Sequence, residues 1–80
     1  MQPLYVGECR VCFAGRLIVM KMASGLFIRC EECLSEWEGI EDAGSPSTSV
    51  WGQFKDTGFA EPEDLVDHPW RSSIVNQADL

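Results

Sequence analysis

Cationic side chains are scarce in this chain of 80 residues: six lysines and arginines stand against thirteen aspartates and glutamates, a formal charge of −7. Nucleic-acid affinity rests largely on attraction to phosphate, so the molecule as a whole repels that class of partner. There is a single histidine, His68, and no glycine-flanked serine elbow, which leaves little material for a nucleophile–base set. Long apolar runs are also missing. The longest, around Leu17–Met20 and Leu26–Ile28, fall far short of the roughly 20 residues that span a bilayer. The start, Met-Gln-Pro-Leu-Tyr, has neither the basic nor the apolar region of a signal peptide. The expectation is a cytoplasmic protein with no membrane association.

At this length the chain makes one domain, residues 1–80, and such a domain buries only about 60–65% of its unfolded surface. It needs a staple. Four cysteines supply one: Cys9 and Cys12, then Cys30 and Cys33, two C-x-x-C pairs separated by seventeen residues. A two-residue spacer lets one tight turn aim both sulfurs at a single ion, and the gap is long enough for a hairpin that brings the second pair back. Four thiolates close a tetrahedron and leave no position for water, so the ion is structural, one Zn2+ per chain, and the protein is not an enzyme. Two disulfides would need an oxidising compartment, which the lack of a secretory signal argues against. A thioredoxin-type redox pair would need a βαβ setting that the sequence does not offer.

Residues 9–33, Cys-Arg-Val-Cys-Phe-Ala-Gly through Ile-Arg-Cys-Glu-Glu-Cys, resemble the two zinc knuckles and intervening hairpin of zinc-ribbon proteins. Zinc ribbons commonly have Pro after the first cysteine and Gly after the second; this chain has Arg10 and Phe13 there, and Leu34 after the second knuckle. Those departures bear on metal affinity, because glycine relaxes the turn that points backbone N–H groups at sulfur. Rubredoxins share the paired pattern and the acidity but use a longer gap, which ranks iron electron transfer below structural zinc. Together with Leu34–Glu38 and Glu61–Arg71, the knuckles are also similar to small bacterial zinc-ribbon proteins of uncharacterised or immunity type. That resemblance implies a toxin-neutralising role.

The fold expected is a small, mostly-β zinc ribbon over residues 4–38, a β-hairpin plus third strand. A mobile loop at 39–49 and a C-terminal extension at 50–76, of one short strand and one or two short helices, complete it. Arg16–Met22 and Leu26–Arg29 read as the hairpin around an Ala23–Gly25 turn, with Leu4–Val6 before it and Ser35–Glu38 after it. Trp37 is the inward anchor of that third strand. Val50–Phe54 reads as a short fourth strand or extended segment and Lys55–Gly58 as a turn. Pro62 and Pro69 sit at first helical positions, His68 or Asp67 near a cap, and Leu65, Val66, Trp70 and Ile74 on the buried side. Asn76–Leu80 reads as a frayed tail.

Charge is unevenly spread. Residues 1–33 carry a net +1, from Arg10, Arg16, Lys21 and Arg29 against three acids, and residues 34–80 a net −8. A zinc held by four thiolates adds −2 locally, which turns the ribbon's balance negative. The acids at the two helix starts have a capping and dipole explanation. They also form, with Trp51 beside the loop, the candidate partner-binding set: Trp51, Glu61, Glu63, Asp64 and Asp67. The function expected is a non-catalytic protein-binding module, monomeric or in a heterodimer. It would be an immunity protein that blocks the basic site of a toxin with its acidic face. The alternative is a transcription- or nucleic-acid-associated ribbon that works through its few basic residues.

Overall fold

The computed structural model describes residues 3–80; Met1 and Gln2, the first two residues of the expected 1–80 domain, lie outside the described residues. Six strands form one antiparallel sheet: β1 (Tyr5–Glu8), β2 (Arg16–Met22), β3 (Gly25–Cys30), β4 (Ser35–Trp37), β5 (Val50–Trp51) and β6 (Asp56–Phe59). The order is β1-β2-β3-β4-β5, with β6 also on β2. Every ordered helical piece among the described residues is a short 3-10 turn, at Ile40–Asp42, Pro62–Leu65, Pro69–Ser73 and Gln77–Asp79. This is the small mostly-β ribbon with a C-terminal extension that the sequence implies.

The β2–β3 hairpin is the spine. Its register runs from Leu17↔Cys30 to Met22↔Gly25, so Ala23 and Ser24 make a two-residue connection. Apolar β-branched and aromatic residues on both faces of β2 and β3 fit strands covered on two sides. Leu17, Val19, Ile28 and Cys30 pack on one face with Leu4, Trp37, Ala60, Leu65 and Ile74. Ile18, Met20 and Phe27 form a second, smaller cluster, with Tyr5, Met22 and Phe54 packed against it. Phe54 reaches Phe27 at a ring-centroid distance of 5.0 Å.

Several expectations change. Lys55–Gly58 is not a turn: Asp56–Phe59 is a strand on β2, with Met20↔Phe59 and Met22↔Asp56 opposed. β1 pairs with the first half of β2 only, and the second half would otherwise present an open edge. The handover falls at Val19, whose N–H donates to the Leu4 carbonyl while its own carbonyl accepts from Ala60 N–H. Val66 is exposed, whereas Leu65 and Ile74 are buried as expected.

The C-terminal tail is tied to the first strand. Asn76 accepts the Tyr5 N–H and donates to the Pro3 carbonyl, and Val75 N–H donates to the Tyr5 carbonyl at 2.8 Å. Within 39–49, the Trp37 indole N–H donates to the Ser45 carbonyl at 2.9 Å. Gly44 is buried there with φ +87, and a Cβ would meet Leu17 at 3.2 Å. A segment expected to have little to bury thus supplies the cover for Trp37.

Candidate metal centre

Two knuckles, one before β2 and one after β3, meet at the open end of the β2–β3 hairpin and carry the cysteines. The first closes where Cys9 N–H donates to the Gly15 carbonyl at 2.9 Å, the second where Leu34 N–H donates to the Cys30 carbonyl at 3.2 Å. Backbone N–H groups then turn toward sulfur: Val11 to Cys9 Sγ at 3.3 Å, and Glu32 and Cys33 to Cys30 Sγ at 3.4 and 3.5 Å. Donors of this kind favour the charged thiolate that a metal requires.

All four sulfurs lie within 4.8 Å of one another. Cys9 Sγ is 3.8 Å from Cys33 Sγ, and Cys12 Sγ is 3.6 Å from Cys30 Sγ. A tetrahedron of metal–sulfur bonds of about 2.3 Å has an edge of about 3.8 Å, so the donor set fits one ion. These separations are well beyond a sulfur–sulfur bond of about 2.05 Å, and all four cysteines are free. Cys9 and Cys30 are buried; Cys12 and Cys33 are partly accessible.

The sulfurs are not equivalent. The Ala14 N–H, with smaller help from Cys30 and Gly15, brings the Cys12 thiol down to about 6. Burial pushes Cys30 up to about 12, against the Cys33 and Glu32 N–H groups. For Cys33 burial acts upward, but the Ser35 hydroxyl and N–H outweigh it and the thiol ends below its ordinary value. Ser35 Oγ stands 3.3 Å from Cys33 Sγ. A metal ion would displace the remaining protons, which couples its binding to the fold.

Gly15 belongs to this centre and carries no signature in the sequence beyond its place after the first knuckle. A Cβ there would meet Cys30 Sγ at 2.5 Å and the Glu32 backbone nitrogen at 3.0 Å. Only a residue without a side chain lets the first knuckle pass this close to the second. Phe13 and Leu34, in the places where zinc ribbons commonly have glycine, adopt the left-handed conformation anyway, with φ 58 and 64.

The remaining candidates fall in separate places. Glu61, Glu63, Asp64 and Asp67 lie around the Pro62–Leu65 turn. Glu61 and Asp64 cap it reciprocally, the Glu61 N–H donating to Asp64 Oδ2 at 2.8 Å. Both also approach Lys21 Nζ, at 3.9 and 3.6 Å. The Glu61 carboxyl and the charge of Asp64 hold Glu63 above its ordinary value. Trp51 is 73% exposed and lines a recess with Arg29, Leu34, Glu36 and Gly52, apart from those acids. His68 is a cap, its Nδ1 accepting the Trp70 N–H at 3.1 Å.

One ionic centre was not foreseen. Glu36 is 2% exposed yet charged-paired: Arg29, its partner across the β3–β4 pair, stands 2.8 Å away. The same carboxylate accepts the Gln53 and Phe54 N–H groups, both at 3.0 Å, and Arg29 also reaches Asp56 at 3.0 Å. This network fastens the connection between β5 and β6 to the ribbon.

The chain matches no protein-family model, no curated protein and no solved structure. Fold and site together define its class: a small antiparallel β ribbon with four cysteines placed to bind one metal ion. No helix among the described residues is long and apolar enough to cross a membrane.

Proposed function

We propose that the chain is a zinc-stabilised, non-catalytic protein-binding module of immunity type, which blocks a cationic site on a toxin with its acidic surface. The observation that carries this reading is the closure of the metal centre. Four protein sulfurs at tetrahedral spacing supply a full coordination shell, so the ion holds the chain together and has no place for a reacting water. An all-thiolate tetrahedral set selects zinc among abundant structural ions. Binding is then the work of the surface, which combines a charge of −7 with an exposed tryptophan, a steering field and an aromatic anchor in separate places.

The nucleic-acid alternative is weakened by ion pairing. Arg16 is held by Glu31, Lys21 approaches Glu61 and Asp64, and Arg29 is held by Glu36 and Asp56. Three of the ribbon's four basic side chains are thereby engaged with carboxylates, which lowers the potential they offer to phosphate.

The test is purification from the native host, with metal analysis and mass-spectrometric identification of what co-elutes. Expected are one zinc per chain and a basic protein whose complex weakens as salt rises. Stoichiometric iron with a reversible colour change, co-elution with nucleic acid, or a complex indifferent to salt would overturn the reading.

A further inference from the structure

The two faces of the sheet are covered unequally. The C-terminal turns bury the face that carries Leu17, Val19 and Ile28, through Leu65 and Ile74. On the other face a groove of about 310 Å³ remains, with Ile18 and Met20 among its lining residues and Leu34 and Phe59 beside them. Leu34 is 47% and Phe59 57% exposed. Leu34 and Arg29 also line the neighbouring recess that contains Trp51, so Phe59, Leu34 and Trp51 border one strip of accessible apolar surface. Such a strip on a small polar domain marks a contact site. Leu34 adds a second reason. It holds a left-handed backbone at a position where glycine would be less strained, so its side chain is kept at a cost in stability.

Charge selects the occupant. Glu31 and Asp56 line the groove with one cation, Arg29; Glu31 is paired with Arg16, and Arg29 faces two carboxylates, Glu36 and Asp56, which leaves one negative charge in excess there. A second copy of a chain with charge −7 is repelled, whereas a cationic partner is drawn in. We propose that this groove docks a cationic protein segment. Such a segment sets one aliphatic or aromatic side chain between Leu34 and Phe59, above Ile18 and Met20, with lysine or arginine against Asp56, the accessible carboxylate of the two that share Arg29. The inference rests on the binding-module reading and deepens it: the acidic surface steers, and the groove grips.

The test is selection from a random 12-residue peptide display library against the full metal-loaded chain. Expected are peptides with net positive charge and one bulky apolar residue, whose affinity falls at least tenfold for Leu34→Gly and for Phe59→Ser and stays unchanged for Val75→Ser, an exposed side chain outside the groove. Leu34→Gly removes one wall while giving the knuckle its preferred residue, so lost binding there does not reflect misfolding. Selected peptides without cationic residues, or equal affinity for all variants, overturn the groove. If amide shifts on binding map to residues 61–67 instead, the groove fails and the module reading stands. A library that yields no binder overturns the groove, while the module reading stands or falls on the co-purified partner.

Discussion

Phe13 and Leu34 occupy equivalent places in the two knuckles, each one residue after the second cysteine, and both are left-handed, with φ 58 and 64. An L side chain in that conformation costs about 1–2 kcal/mol. The turn is imposed by the need to bring four sulfurs together, so the residue adapts to the geometry. Phe13 is 82% exposed, and little packing is lost when it is removed. Phe13→Gly is therefore expected to stabilise the metal-loaded chain by about 1 kcal/mol, after the entropy that glycine loses on folding is subtracted. Thermal unfolding would show this as a midpoint about 4–8 °C higher. A lower midpoint would mean that the phenyl ring makes a contact the structure does not contain.

Gly15→Ala is expected to act in the opposite direction. The new methyl would sit 2.5 Å from Cys30 Sγ and 3.0 Å from the Glu32 nitrogen, and neither backbone nor metal ligand can yield. The second knuckle must shift, and the tetrahedron opens. Metal affinity measured by competition with a chromophoric chelator is expected to drop at least tenfold, about 1.4 kcal/mol or more. Ala14→Gly, next to it and exposed, serves as the control with little change in affinity.

Glu36 offers a contrast between buried and exposed ion pairs. Its carboxylate is 2% exposed and takes Arg29 and two backbone N–H groups, so Glu36→Ala leaves three donors without their acceptor. Losing one partner of a buried pair costs about 3–5 kcal/mol. The exposed bridge from Arg29 to Asp56, at 38% side-chain exposure, is worth at most about 1 kcal/mol. Urea unfolding of Glu36→Ala and Asp56→Asn tests that ordering, and equal effects would contradict it.

The spacing of the cysteines, the β2–β3 hairpin, the third strand with Trp37 inward and the Pro-led turns were legible because each follows from local chemistry. Cysteine pairs, β-branched runs and prolines act within a few residues of themselves. What was not legible depends on distant partners. Lys55–Gly58 reads as a turn by composition, and Asp56–Phe59 is a strand because β1 leaves half of β2 uncovered. Glu36 alternates like a solvent-facing residue, and only the fold places Arg29 and the 53–54 backbone around it. Asn76 looks like tail, and its amide clasps a strand 71 residues earlier. The closeness of Gly15 to Cys30 is likewise a property of two knuckles meeting.

The acids of the Pro62–Leu65 turn predict a pH effect. Glu63 sits above its ordinary value because the Glu61 carboxyl and the Asp64 charge disfavour its ionised form. A carboxylate with a raised value in the folded chain favours folding while protonated, and that benefit is lost as pH rises through the raised value. At neutral pH its charge therefore opposes folding. Glu63→Gln is expected to raise the urea midpoint at pH 7, with the gain shrinking as acid protonates the wild-type carboxyl. Added salt should shrink it too, since the group is exposed and screened. A gain that grows toward acid would refute the assignment.

Metal removal is the most direct test of the architecture. Cys9, Cys30, Leu17 and Ile28 belong to one buried cluster, so the sulfurs are part of the core. A structural zinc contributes about 10–16 kcal/mol apparent in small finger peptides, as much as the whole net stability of an ordinary domain, about 5–15 kcal/mol. At their cysteine end the strands between the knuckles are otherwise joined by the Arg16–Glu31 contacts, a surface pairing worth far less than the metal. A chelator titration followed by circular dichroism is therefore expected to lose the β signal of residues 4–38 in step with release of one ion. Re-addition of zinc should restore it. Cys30→Ser, which removes a fully buried ligand, is expected to reproduce the chelated spectrum at any zinc concentration that leaves the wild type folded. A metal-free chain with an unchanged spectrum would show that the sheet stands without its four sulfurs being joined.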